Sequence, residues 1–321
     1  MGWANENKPG WERETLEKLL HAQVIEQRRA RRWGIFIKLL FLLYLLALLI
    51  LVRGGDLGLT DWFEDDRGPA EHVAVVDIEG LIASGSLANA EDLNRTLRTA
   101  FEDAGTRALI LRINSGGGSP VQAAIIHDEI QRLKGLHEET PVYAVIGDIG
   151  ASAAYYIAVA ADEIHASEAS LVGSIGVRLD SFGVVDLIDN IGIERRLFTS
   201  GDNKALLDPF LPLEESHAEH MQGVLDDVYR QFVEVVRAGR GDRLDADAEL
   251  FDGLIWTGQQ SMELGLIDGL GTDRSVARDI IGIEELKVFK PRRTPLQLLF
   301  EDLGMTVLRQ LMAWESTPQW R

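Results

Sequence analysis

"RALILRINSGGGSPVQAAIIHDEIQRLK" runs from Arg107 to Lys134, and its three parts decide the fold. "RALILRIN" is a short, almost wholly apolar run, the pattern of a strand covered on both faces. "SGGGSP" breaks it with three consecutive glycines and a proline, which mark a turn. "VQAAIIHDEIQRLK" then returns apolar residues at helical spacing. A strand that leaves through a glycine turn into a helix is half of a crossover unit, and the same grammar recurs on either side. Upstream stand the β-branched "HVAVVDIEG" (72–80) and the helical "AEDLNRTLRTAFED" (90–103). Downstream come "PVYAVIG" (141–147) and a second glycine-bearing turn, "GDIGAS" (147–152), opening another helix. Strand–helix alternation predicts an α/β domain over 72–290 with a sheet covered on both faces. Farther on, Met221, Leu225, Val228, Phe232, Val235 and Val236 place an apolar stripe on one long amphipathic helix.

The chain outside this domain reads differently. "WGIFIKLLFLLYLLALLILV" (33–52) is twenty residues with one charge, long enough to span a hydrocarbon core of about 30 Å. Four arginines, Arg28, Arg29, Arg31 and Arg32, precede it. The excess of positive charge on that side predicts a single-pass anchor with a cytoplasmic N-terminus. The expected organisation is a charged cytoplasmic tail (1–32), a transmembrane anchor (33–53), a Gly/Asp-rich linker (54–71), the α/β domain (72–290) and an amphipathic C-terminal segment (291–321). The run is too long for a typical signal-peptide core, and no A-x-A-like site follows it.

Charge and composition exclude several function classes. A net charge of −19 gives no electrostatic support for nucleic-acid binding. The chain has no cysteine, which removes thiol catalysis, disulfides and thiolate metal sites. The glycine turn matches neither G-x-G-x-x-G nor G-x-x-x-x-G-K-[ST], which argues against a nucleotide cofactor. His217 and His220 among Glu214, Glu215 and Glu219 are spaced like metal ligands, but the solvated start of an acidic helix accounts for them; no metal or other cofactor is expected.

The remaining chemistry centres on two turns. Glycines at 116–118 allow close backbone approach, so their N–H groups can point at a carbonyl oxygen. Ser152 stands where the third strand enters the next helix, near N–H groups and a dipole end that favour a developing anion. A helix cap or a small packing residue is the plain alternative for such a serine. The G-x-S-x-G elbow is absent, because Ala154 follows two residues later. A nucleophilic serine needs a base. None of the seven histidines stands in a motif that announces one. Lysine is the other choice, although at its ordinary pKa of about 10.4 it is neutral less than about one time in a thousand at pH 7. Lys134, Lys287 and Lys290 read as solvated. Lys204, after the strand-like "IERRLF" and before apolar residues, is the best base candidate.

At these residues the sequence resembles the signal peptide peptidase A family, membrane-bound serine proteases with a Ser-Lys dyad and a crotonase/Clp-like β-α superhelix. "LRINSGGGSP" resembles the family's oxyanion turn N-S-P-G-G-S, and "GDIGASAAYY" its nucleophile stretch. "SLVGSIGV", "TSGDNKALLDPF" and "FDGLIWTGQQSMELGLIDGLG" resemble three further segments, in the same order, over roughly residues 72–275. The resemblance implies Ser152 as nucleophile, Lys204 as general base, the N–H groups of Gly117 and Ala153 as the oxyanion hole, and Ser174 as the hydroxyl orienting the lysine. It departs at Gly116, where the family has proline, at Ala153 and Ala154, where it has glycines, and at Leu254, where it has arginine.

The reaction so implied is hydrolysis of remnant signal peptides and other small or unfolded chains. It would take place at the outer face of a bacterial cytoplasmic membrane, in a ring of identical subunits. Two other classes share features with this reading. A crotonase-type acyl-CoA enzyme has the same glycine turn but relies on carboxylates. A catalytically inactive membrane scaffold would keep the fold without the reaction.

Overall fold

The computed structural model describes residues 29, 31–45, 70–245 and 248–291. The chain divides into two compact units, residues 1–68 and 69–321. In the first, residues 31–45 form a helix with exposed apolar side chains. No helix among the described residues is long and apolar enough to cross a membrane. Residues 46–53 of the expected anchor lie outside the described residues, as do most of the expected tail, the linker through residue 69, and 292–321 of the C-terminal segment.

The second unit is a mixed α/β structure built on one eight-stranded sheet. Its elements are β1 (His72–Glu79), α1 (Ala90–Glu102), β2 (Thr106–Ser115), α2 (Pro120–Leu136), β3 (Val142–Ala151), α3 (Ala153–Ala158), β4 (Glu163–Ala166) and β5 (Leu171–Gly173). They continue with α4 (Val185–Asn190), α5 (Glu215–Arg240), β6 (Ile255–Thr257), α6 (Gly258–Glu263), β7 (Gly269–Leu270) and β8 (Leu286–Phe289). Neighbours run β6-β5-β3-β2-β1-β8, and β4 joins β3 to β7. Every pairing is parallel except β5–β6.

The near-continuous apolar strands are explained by cover on both faces. Ala74, Val76, Ile78, Leu109, Leu111 and Ile113 point into one core with α1, α2 and α3. The alternate residues Val73, Val75, Ala108 and Ile110 point the other way, against Val276, Ala277 and Ile281. Local signals agree with this packing. Asn89 caps α1 by accepting from the Asp92 N–H, and Leu93, Leu97, Ala100 and Phe101 form its buried stripe. Ser119 caps α2, with Pro120 in the first turn where its missing N–H costs nothing.

The sheet forks at β3, and the fork positions the site. Tyr143–Ile146 pair with β4, whereas Ile149–Ala151 pair with β5. A register shift between Ile113 and Ser115 of β2 accompanies the change. The end of β3, still paired with β2 through Gly150 and Ser115, runs along β5 and delivers residue 152 beside the glycine turn.

Behind the site, Arg240 at the end of α5 is almost fully buried. It donates to both carboxylate oxygens of Asp268 (2.6 and 3.0 Å) and to the Gly265 carbonyl (2.9 Å). Asp268 also accepts from the Ile164 N–H of β4 at 2.7 Å. Burial pushes this carboxyl up, but the hydrogen bonds from Arg240 and Ile164 outweigh it and hold it below its ordinary value.

Two expectations are corrected. "IERRLF" is irregular, not a strand; with Glu194, Arg195 and Arg196 at its centre it has too little apolar surface to enter a sheet. Lys134 is not a solvated helix end, because its ammonium lies 2.7 Å from Asp162 and donates to the Ala160 carbonyl at 2.9 Å.

Candidate active site

Ser152 is the last residue before α3, and its backbone is the most informative angle pair in the molecule. At φ 55° and ψ −124° it occupies a region that side-chain-bearing residues avoid. Its hydroxyl makes no capping bond to the helix that follows. The capping role, the plain alternative for a serine in this position, is therefore absent. The strain is held from several sides. Ser152 N–H donates to the Gly173 carbonyl of β5 (2.8 Å), and the Tyr156 N–H returns to the Ser152 carbonyl (3.0 Å). The Tyr155 hydroxyl, fully buried, donates to the Leu266 carbonyl at 2.6 Å and pins the short helix from below. The helix-dipole contribution expected from the sequence is small, since α3 is only six residues long.

The glycine turn meets Ser152 directly. Gly117 has φ 103°, and a Cβ there would come within 2.8 Å of Ser152 Cβ and 2.9 Å of the Ala153 nitrogen. Only glycine permits that approach. The next residue, Gly118, lies so close to Ile82 that a Cβ would meet its carbonyl oxygen at 2.1 Å. The turn is stitched to that segment by Ile82 N–H to Gly117 O (3.0 Å) and Ser119 N–H to Ile82 O (2.7 Å).

Gly117, Ser152, Ala153 and Ser174 all line one cavity of about 1260 Å³. Its walls are largely apolar, with Val121, Ile125, Tyr156, Leu225, Val228 and Phe232 among them. The Tyr156 and Phe232 rings pack at a tilt with centroids 5.3 Å apart, so α5 forms one side of the cavity. Ser174 also has a positive φ of 50°, and its N–H donates to the Leu254 carbonyl at 2.7 Å. Leu254 thus contributes its backbone, while its side chain is exposed; the residue type there has little bearing on this contact. Ala153 and Ala154 are buried in α3, and neither has a positive φ. Their methyl groups are compatible with the turn.

Lys204 is the one candidate not brought to this cavity. It sits in an exposed turn, its N–H donating to Gly201 O at 3.1 Å, and it is not among the cavity-lining residues. The flanking 177–213 segment exposes apolar side chains, among them Leu179, Phe182 (81%), Ile193 and Phe198 (94%). Of the histidines, His127 packs edge-on behind Tyr156 (5.5 Å), where burial pushes its imidazole pKa down despite Asp128 beside it. His217 contacts Asn203 at 3.1 Å. Among the described residues, no cluster of three or more His, Asp or Glu could hold a metal ion.

Sequence reasoning missed Ser115. This buried side chain accepts a hydrogen bond from the Gly117 N–H at 3.1 Å. Its place two residues before the central glycine was the available signal.

Comparison with known proteins adds the following. The model of peptidase family S49 matches residues 134–282. A Brucella abortus protein named Na(+)/H(+) antiporter NhaA is 39% identical over 245 residues, covering 74% of this chain and 33% of that protein. A Synechocystis sp. relative carrying a protease name, slr0021, is 36% identical over 254 residues, 73% of this chain and 88% of the relative. The chloroplastic serine protease SPPA of Arabidopsis thaliana is 31% identical over 223 residues, 67% of this chain and 32% of that protein. The chain thus spans about a third of the Brucella and Arabidopsis proteins and most of the Synechocystis one.

Proposed function

The chain belongs to peptidase family S49, signal peptide peptidase A and its relatives, and on that premise we propose that it is a serine peptidase with Ser152 as nucleophile. The observation that carries the reading is Ser152 itself. It is strained at φ 55°, makes no capping bond, and faces a glycine turn at the edge of a largely apolar cavity. Strain of this kind persists only where the surrounding structure imposes it, and it cannot be explained by helix capping.

In the proposed reaction Ser152 Oγ attacks the scissile carbonyl, and the oxyanion is held by the N–H groups of Gly117 and Ala153. Lys204 takes the serine proton and passes it to the leaving amine. It then activates the water that releases the acyl group. Ser174 orients the lysine. A lysine acts as a base only when it is desolvated, and in the single chain Lys204 is exposed. Self-association over the apolar 177–213 segment supplies that desolvation in our reading, so the active form is a homo-oligomeric ring. The forked, largely parallel sheet fits the Clp/crotonase-like superhelix.

The apolar cavity suits extended peptides such as signal-peptide remnants and unfolded chains. The run at 33–53 anchors the protein in the cytoplasmic membrane, with the peptidase domain (72–290) on the outer side.

The test is labelling of the detergent-solubilised full chain with a serine-directed fluorophosphonate, alongside cleavage of a fluorogenic apolar peptide. Wild type labels and cleaves. Ser152→Ala loses both, and Lys204→Ala loses turnover. A wild type that neither labels nor cleaves supports an inactive scaffold instead, and turnover dependent on an acyl-CoA thioester supports the crotonase alternative.

A further inference from the structure

The Gly117 N–H is the donor that the proposed reaction requires for the oxyanion, yet it is already engaged within its own turn. It donates to Ser115 Oγ at 3.1 Å, and Ser115 is 1% exposed. We infer that Ser115 is a positioning residue that keeps the oxyanion hole closed to a neutral carbonyl and yields it to a charged oxygen. The inference rests on the reading of Ser152 as nucleophile.

Two acceptors compete for this N–H. A buried N–H without a partner is costly, and Ser115 supplies the acceptor at Gly117 before a substrate oxygen arrives. A serine hydroxyl is a neutral acceptor comparable to the carbonyl of a bound peptide. Exchanging one for the other at the start of the reaction therefore brings little gain. An oxyanion is a stronger acceptor, with charge-assisted hydrogen bonds roughly twice as strong as neutral ones. The exchange becomes favourable only as negative charge develops. Ser115 thus withholds the Gly117 bond from the neutral ground state, which weakens substrate binding while leaving the barrier from bound substrate to transition state unchanged.

The surrounding turn permits such an exchange. The Gly116–Gly117 peptide lies between two residues without side chains, and a Cβ on Gly116 would have only Ile149 Cδ1 near it, at 3.8 Å. The carbonyl side of Gly117, by contrast, is fixed by Ile82 N–H (3.0 Å). The peptide plane that carries the N–H thus has no side chain of its own to oppose a tilt, while the rest of the turn is anchored.

The experiment is steady-state cleavage of a fluorogenic peptide by the full chain, comparing wild type, Ser115→Ala, Ser115→Cys and Ser152→Ala. Removing the competing acceptor lets a ground-state carbonyl take the N–H. We therefore expect KM to fall about five-fold, the worth of one ordinary hydrogen bond, with kcat unchanged within two-fold. Ser115→Cys fills the site with a slightly larger but weak acceptor and shifts KM the same way, which covers the case where Ser115→Ala folds poorly. A fall in kcat with KM unchanged or raised, in both variants, means that Ser115 only props the turn, and it overturns the inference while leaving the peptidase reading intact. Ser152→Ala cleaving like wild type would remove the peptidase reading and the inference together.

Discussion

Gly117 and Ser152 are separated by so little space that a single methyl group on the glycine would come within 2.8 Å of the serine Cβ. The contact joins the two turns, one after β2 and one after β3, on which the proposed reaction depends. Because Gly117 also has φ 103°, alanine there faces both a clash and a disfavoured backbone. Gly117→Ala should lower kcat/KM by at least about 100-fold, the scale of losing one oxyanion donor. Fluorophosphonate labelling measured beside a thermal melt separates this from unfolding. A variant that labels at the wild-type rate would place the oxyanion elsewhere.

Tyr155 should matter through its hydroxyl. Tyr155→Phe keeps the ring in the core but leaves the Leu266 carbonyl without its 2.6 Å partner. The expected destabilisation is about 1–3 kcal/mol, read as a shift in denaturation midpoint. Since α3 follows Ser152 directly, activity should fall as well. An unchanged midpoint would show that a water replaces the hydroxyl.

Arg240→Met removes a charge with 1% of its side chain exposed and leaves Asp268 with Arg243 as its remaining cation. Breaking a buried pair costs about 3–5 kcal/mol, and the surviving Arg243 contact points to the lower end. Arg240→Met combined with Asp268→Leu should recover part of the loss, because the buried carboxylate is then gone and the cation left without it, Arg243, is 41% exposed. Equal melts for the single and double variants would count against this account.

Acid should loosen the domain through its paired carboxylates. Glu129 accepts from Arg132, its strongest influence, and from Arg98; these outweigh burial and pull its pKa from 4.5 down to about 2. Asp268 is lowered as well. A carboxylate with a depressed folded pKa contributes stability that is fully present above its unfolded value and lost as pH falls through the folded one. The melting temperature should therefore decline from about pH 5 toward pH 2. Glu129→Gln should show a modestly shallower decline, because one titrating carboxylate is gone and screening of its half-exposed arginine partners limits how much that removes. Parallel profiles for wild type and Glu129→Gln would exclude Glu129 as a source.

Self-association is tested most directly at Phe182 and Phe198, which are 81% and 94% exposed in the single chain. Phe182→Ser with Phe198→Ser should reduce assembly, measured by analytical ultracentrifugation in detergent, and abolish peptide cleavage. The melt of the domain should barely move, because neither side chain belongs to its core. Full activity in a monomeric double variant would end the proposal that Lys204 needs assembly to become a base.

The central α/β pattern was legible because burial on both faces imposes continuous apolar strands, and "RALILRIN" and "PVYAVIG" carry that mark. The helices around it were legible through their stripes and caps, as Leu93, Leu97 and Phe101 in α1 illustrate. "IERRLF" misled because a short run with apolar ends resembles a strand whether or not a neighbouring strand exists to pair with it. Ser115 was missed because a buried hydroxyl bonded to a backbone N–H two residues away leaves no periodic trace, and its place before the glycine turn was the sole local sign.

Sequence alone determined the strand–turn–helix units, the two glycine-bearing turns and the residues proposed as nucleophile and base. These follow from side-chain chemistry and spacing, which are local. Only the tertiary structure decided that Ser152 is strained rather than capping, that Gly117 meets it, that Ala153 and Ala154 fit, and that Lys204 is exposed in the single chain. Those facts depend on where β3 forks between β4 and β5, and the fork arises from contacts between residues far apart in the chain.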